Sequence, residues 1–516
     1  MANRSLNPRP SGLIGPLSGL NKRWPLVFSQ DRHLPEVSWL EQQRKDMGIT
    51  EGDELRTFLE VNGYEPFRQF DDIMRFCERQ VALDVNTHAR RGAWLDDRSW
   101  EPTSNRSSKE CYRAYKSPLS AAQLHESQKR KTIGHVDLPD ADRRLIYVSD
   151  IDILYLDALI NTVLGDDAPV LKDTVWKHVA LQTSLGVRIP TRGYPVFRME
   201  LCVPFYALRT YLPREETTNP TARVTRDLSF LIRDFPGTRK TAHLNLHEVH
   251  VAVAICGISE KRWTAYCFED TAYDPDRALE EDDFCYDGAN MDPIASTTHD
   301  GVFLDANWPL REPRVYFITI LRYRICQICF EWTGLIRTVE GIIHGYTDGD
   351  LSFPKASGPS ARENEEMVQA FEWTHKTLRL IHKLLETLKK THALWTQFTS
   401  PNGDVAYFTD QDSFSVRSKD RVQHSLAEID EMFGGLGMHQ ARLEDLEKRL
   451  KSLEQQYKTS AQVLELRLAL DSNKIAKMNG SLLETTLLEQ QCQTSAQKDQ
   501  LRVALENSAV AKLNGS

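Results

Sequence analysis

The stretch Leu244-Asn-Leu-His-Glu-Val-His-Val-Ala-Val-Ala-Ile255 decides the fold. It alternates apolar and polar residues, then becomes continuously apolar and β-branched, which is the pattern of a strand entering a buried sheet. Val196-Phe-Arg-Met-Glu-Leu-Cys-Val203, Trp263-Thr-Ala-Tyr-Cys-Phe268, Leu145-Ile-Tyr-Val148 and Val187-Arg-Ile189 repeat that signal, each bounded by Gly, Pro, Asn or Asp. Between them Ile151 to Leu164 and Ala168 to Leu185 read as helices. Strands mixed with helices predict an α/β (or α+β) layer domain over residues 143–345. Its last element, Arg314 to Ile343, is apolar almost all round, as expected of a helix packed deep against a sheet.

Outward from this core the organisation changes. Residues 1–120 form an N-terminal, mostly helical region, with helix signals from Glu51 to Gln69 and after Asp71-Asp72. Residues 121–142 lie in a polar, charged stretch and read as a linker. A Gly/Ser/Pro loop occupies 346–362, and a helix with its closing turn occupies 363–418. From 419 to 516 long helices forming a coiled-coil stalk are expected.

The stalk stripe is Leu443, Leu446, Leu450, Leu453, Tyr457, Ala461, Leu464, Leu468 and Ile475, at steps of 3, 4, 3, 4, 4, 3, 4 and 7. The tail also repeats itself at a period of 35: residues 453–481 recur as 488–516, and five whole heptads keep the copy's apolar face in phase. Gly434, Gly435, Gly437 and Asn479-Gly480 are expected to weaken or break the helix. The stripe predicts a homo-oligomer, because its leucines would otherwise stand in water.

Composition narrows the function. With 64 Lys+Arg against 73 Asp+Glu the formal charge is −9, and the pI near 6.0 provides no basic field for nucleic acid. No apolar run approaches the 20 or so residues that cross a bilayer, so no membrane span is expected. The N-terminus, broken by Pro8, Pro10 and Pro16, carries no secretory h-region, and the 9 Cys read as reduced thiols. The expected compartment is cytoplasmic.

Candidate chemistry is sparse. His243, His247 and His250 fall one residue short of a zinc-protease spacing, and a strand would put His247 and His250 on opposite faces. Cys326-Gln-Ile-Cys329 lacks a second pair and reads as buried thiols. Glu280, Glu281, Asp282 and Asp283 supply hard oxygen ligands that suit Mg²⁺. No phosphate loop, nucleophile elbow or kinase signature occurs, so no enzyme is expected.

The order of motifs Arg144-Leu-Ile-Tyr-Val-Ser-Asp150, Lys177-His178, Phe197 to Arg209, Trp263 to Thr271, Met291-Asp-Pro293 and Trp308 to Phe317 resembles fungal proteins related to the CorA-like divalent cation (magnesium) transporters. The resemblance implies a pentameric assembly of cytosolic α/β domains on stalk helices, each stalk leading into two membrane helices. This chain departs from the pattern. It stops at Asn514-Gly515-Ser516, where the first membrane helix would follow, and the Gly-Met-Asn pore motif is absent. The resemblance therefore implies the cytosolic regulatory or oligomerising part of such a transporter, unable to form a pore, and a membrane location if the natural chain continues past Ser516. The alternative is a cytosolic coiled-coil interaction scaffold without cation function.

Overall fold

The computed structural model describes residues 22–32, 36–47, 54–60, 66–81, 90–100, 112–190, 195–211, 223–232, 243–274, 291–296, 302–348, 361–410 and 414–513. They group into two units: residues 1–352 with 379–447, and residues 353–378 with 448–516. The first unit is an α/β domain, and long helices follow it, as the sequence predicts.

The sheet of the first unit is mixed. Its strands are β1 (Arg91–Arg98), β2 (Leu119–Ser120), β3 (Arg143–Ser149), β4 (Ser184–Arg188), β5 (Phe197–Tyr211), β6 (Thr225–Asp227), β7 (His243–Gly257) and β8 (Trp263–Glu269), in the order β2-β1-β3-β8-β7-β5-β4, with β6 beside β7. The β3–β8 pair is parallel and the other pairs are antiparallel. β5 and β7 pair along their whole length, from Phe197 opposite Gly257 to Tyr211 opposite His243. A separate hairpin joins β9 (Met291–Ser296) to β10 (Phe303–Asp305).

Helices cover both faces. Ile146, Val148, Ala254, Cys256, Tyr266 and Phe268 point to one side, where α1 (Trp39–Met47), α2 (Glu54–Glu60), α3 (Pro66–Val81), α4 (Ala121–Gln128), α5 (Ile153–Thr162) and α6 (Ala168–Val179) close the larger core. α5 starts where Asp152 accepts from the backbone N–H groups of Leu154 and Tyr155, and α4 starts on a capping box between Ser120 and Gln123. Alternate residues point to the other side and meet α7 (Pro313–Asp348). There Arg324 reaches Glu269 at 2.8 Å and the Pro293 carbonyl at 2.6 Å, and Trp332 stands edge-on to Tyr206 at 6.0 Å. Ile318, Leu321, Ile325, Ile328, Leu335 and Val339 are all buried, which accounts for the unbroken apolar character of α7.

Several expectations need correction. The N-terminal 120 residues do not stand apart from the α/β domain: β1 lies inside its sheet, between β2 and β3. The register explains how a strand containing Asp96-Asp97 is buried. Asp97 lies opposite Arg144 on one face, while Asp96 takes Arg143 at 2.9 Å on the other. Residues 121–142 begin with α4 and so are not simply a linker. The helix expected to run to Leu185 ends at Val179; Leu181 turns with φ 52°, and β4 follows.

In the long helices the expected glycine breaks do not occur. α8 (Ala361–Phe398) and α10 (Val416–Leu513) are each continuous, α10 running through Gly434, Gly435, Gly437 and Gly480. Within the first unit, Trp395 stacks on Phe433 at 5.1 Å with the ring planes 4° apart, and its indole N–H donates to Asp430. A Cβ at Gly437 would meet His392 Nε2 at 3.3 Å, so the missing side chain lets the two helices approach. Packing of Ile429, Phe433 and Leu436 outweighs the glycine penalty of about 1 kcal/mol each.

The expected seam also divides. Leu443, Leu446, Leu450 and Tyr457 are buried, so a second chain is not required to cover them, and Leu453 is half-buried. The side chain of Leu464 lies outside the described residues. Leu468 and Ile475 are 60% and 55% exposed.

Candidate functional site

A concavity of about 670 Å³ lies beside the sheet face that carries α1, α5 and α6. That is the size range of small-molecule sites. The turn Gly165-Asp166-Asp167-Ala168-Pro169 builds one wall by starting α6. The Asp167 carbonyl accepts the first helical N–H groups, from Val170 and Leu171, but its carboxyl caps none of them. The carboxyl instead receives the Cys256 thiol at 3.3 Å and the Thr264 hydroxyl. Burial pushes Asp167 up to about 6, because desolvation outweighs those two donors.

Tyr266 and Trp39 add aromatic wall, and Gly257 brings the backbone in close. A Cβ at Gly257 would meet the Arg262 carbonyl oxygen at 2.5 Å, so glycine is required there. Burial holds the Cys256 thiol well above its ordinary value, with the Asp167 charge adding to the effect. The cavity therefore offers recognition groups and no activated thiolate.

Deeper in the same unit, His178 of α6 and His250 of β7 meet with their Nδ1 atoms 3.2 Å apart, and both side chains are fully buried. His250 Nε2 lies 2.9 Å from the Gln182 carbonyl. His178 Nε2 is 3.2 Å from Asp270, whose other oxygen accepts from Arg223 Nε and the His250 backbone N–H, each at 2.8 Å. Burial lowers both histidines, while Arg223 beside Asp270 leads the interactions that overcome desolvation and keep that carboxyl ionised. His247 faces away from this pair, beside Thr225 and Tyr273, as the strand alternation requires. His250 thus pairs with a helix histidine and His247 with Thr225 of β6, and among the described residues no group of three or more His, Cys, Asp or Glu is arranged to hold a metal ion.

The other candidates are quickly placed. Cys329 donates to the Met432 carbonyl, and burial pushes its thiol up to about 12, so the Cys326/Cys329 pair lacks a reactive thiolate there. Glu280, Glu281, Asp282 and Asp283 lie outside the described residues. Asp167 and Tyr266 escaped the sequence reading; the available signal was the Asp-Asp-Ala-Pro start of α6, which by itself marks only a helix N-terminus.

No family model matches the chain, and no curated protein matches it. Among solved structures, that of the full-length CmaX protein is similar over 74% of this chain and 81% of its own, at a TM-score of 0.33 and 8% identity. That agreement is too loose to assign a family. Among the described residues no helix is long and apolar enough to cross a membrane.

Beyond Tyr457 the second unit presents a different kind of surface. Leu466, Leu468, Leu470, Ile475, Met478, Leu482, Leu483, Leu487, Leu488 and Leu501 of α10 are all more than half exposed. Exposed apolar side chains are ordinary singly; ten along one helix are not.

Proposed function

We propose that the protein is a self-associating scaffold in which the distal part of α10 pairs with the same segment of a second copy and so holds α/β domains together. The observation that carries this reading is the row of exposed leucines after Tyr457. A second copy is the matching partner because the 35-residue repeat presents the same apolar pattern twice: Leu466 recurs as Leu501 and Leu468 as Val503. Burying each such side chain is worth about 1.5–3 kcal/mol, enough over several leucines to offset the entropy of association.

Leu468→Glu combined with Ile475→Glu should lower the mass of the full chain to that of a monomer in sedimentation velocity, while wild type sediments as a dimer or larger. A control, Leu443→Ala, should cost stability without changing the mass, because Leu443 is already buried. Equal masses for wild type and the double variant defeat the reading.

The resemblance to CorA-like magnesium transporters supports a second reading, in which this assembly senses a divalent cation through Glu280, Glu281, Asp282 and Asp283. Millimolar MgCl₂ should then raise the thermal midpoint beyond what NaCl of matched ionic strength produces, and changing Glu281, Asp282 and Asp283 to amides should remove the excess. Equal shifts from the two salts leave only screening.

A further inference from the structure

The charges around the cavity do not balance. Two of its cations are already engaged: Arg144 grips Asp97 through Nε and Nη2, both at 2.8 Å, and Arg262 lies 3.3 Å from Asp142. The third, Lys45, lies on an exposed part of α1. Of the carboxylates, Glu36 accepts from the Thr132 backbone N–H and hydroxyl. Asp46, Asp166 and Asp167 form no ion pair among the described residues; the Arg144 charge acts on buried Asp167 too weakly to offset its desolvation.

A second observation is independent of these acids. Tyr266 is 3% exposed and lines the cavity, yet its hydroxyl has no hydrogen-bond partner among the described residues. The ring is buried while the hydroxyl is left without a protein partner at the cavity, so a ligand group or ordered water can take it. The indole of Trp39 and the ring of Tyr266 supply faces that attract positive charge.

We infer that this cavity binds a small organic cation, an aliphatic amine whose ammonium group is held by Asp167 and whose further polar group takes the Tyr266 hydroxyl. The pairing meets two needs of the cavity together: an ammonium ion neutralises a buried carboxylate, and a second polar atom satisfies the phenol. A metal cation would have to shed water for a single buried carboxylate, whereas an alkylammonium carries its own apolar stem to place against the aromatic wall.

The test uses the full chain with 1,4-diaminobutane as probe and butane-1,4-diol, of the same length and uncharged, as its control, at constant ionic strength. The diamine should raise the thermal midpoint by about 3 °C at saturation, and the diol should not. By calorimetric titration Asp167→Asn should weaken diamine binding at least about tenfold, the scale expected when a buried charge pair loses one partner. Tyr266→Phe, which keeps the ring in the core, should weaken it by a smaller factor and guards against a fold lost at Asp167. An unchanged affinity in Asp167→Asn, an equal shift from the diol, or no shift from the diamine overturns the assignment. Sedimentation of the same variants separates this from the scaffold reading, since neither substitution lies on α10.

Discussion

Lowering the pH from about 7.5 to about 5 should reduce the folding stability of the protein, because three histidines are held neutral in the fold. Burial, with Arg209 adding to it, takes His247 down to about 4 from the usual 6.5, and burial also lowers His178 and His250. The folded pKa lies below the unfolded one, so the stabilisation is complete above about 6.5. It is lost as the pH falls, when the unfolded chain takes up protons that the folded chain refuses. At about pH 5 His247 alone costs up to about 2 kcal/mol, and His178 and His250 act in the same direction.

Asp167 opposes this. Its folded pKa of about 6 lies above the carboxylate value of 3.8, so acidification through 6 returns roughly 1 kcal/mol. Asp150, Asp157 and Asp292, also raised by burial, act in the same direction as Asp167. Asp270, held low, contributes only below the window. Urea midpoints at the two pH values measure the net loss, and His247→Gln should shrink the difference by one histidine's share. A midpoint that rises on acidification would mean that the buried carboxyls dominate.

Asp97→Ala should destabilise the first unit by about 3–5 kcal/mol, the cost of leaving buried guanidinium groups without their counter-charge. Asp97 is fully buried and accepts from Arg144 twice at 2.8 Å and from the Tyr115 hydroxyl at 2.7 Å, with Arg113 Nη1 3.7 Å away. Arg113 is held further by the carbonyls of Lys131, Thr132 and Pro139, so the substitution also loosens the segment between α4 and β3. Asp97→Asn keeps the acceptor and the shape but loses the charge, and should cost less. A thermal midpoint unchanged in Asp97→Ala would show that water reaches the two arginines.

The reasons for legible and illegible features differ by residue. Leu244 to Ile255 and Trp263 to Phe268 announced themselves because a buried strand is apolar whatever its neighbours, and α7 did so because it is enclosed. Trp94-Leu95-Asp96-Asp97 did not: two adjacent acids are depleted in strands, and they become acceptable only when Arg143 and Arg144 stand opposite, some 47 residues away in the chain. The glycines of α10 misled for the same reason, since propensity is a local quantity and the burial of Phe433 and Leu436 is not.

For this protein the sequence by itself determined the class of the domain, the strands β3, β4, β5, β7 and β8, most of its helices, and the helical character of the tail, because periodicity and end signals act over a few neighbouring residues. Only the tertiary structure decided the strand order, the parallel β3–β8 pair, which leucines of the stripe are covered and which stay in water, and the meeting of Asp167 with Cys256 and Tyr266 around one cavity. Those features join residues tens to hundreds of positions apart. Their free energy comes from desolvation and charge pairing between segments, and no local pattern records which segments will meet.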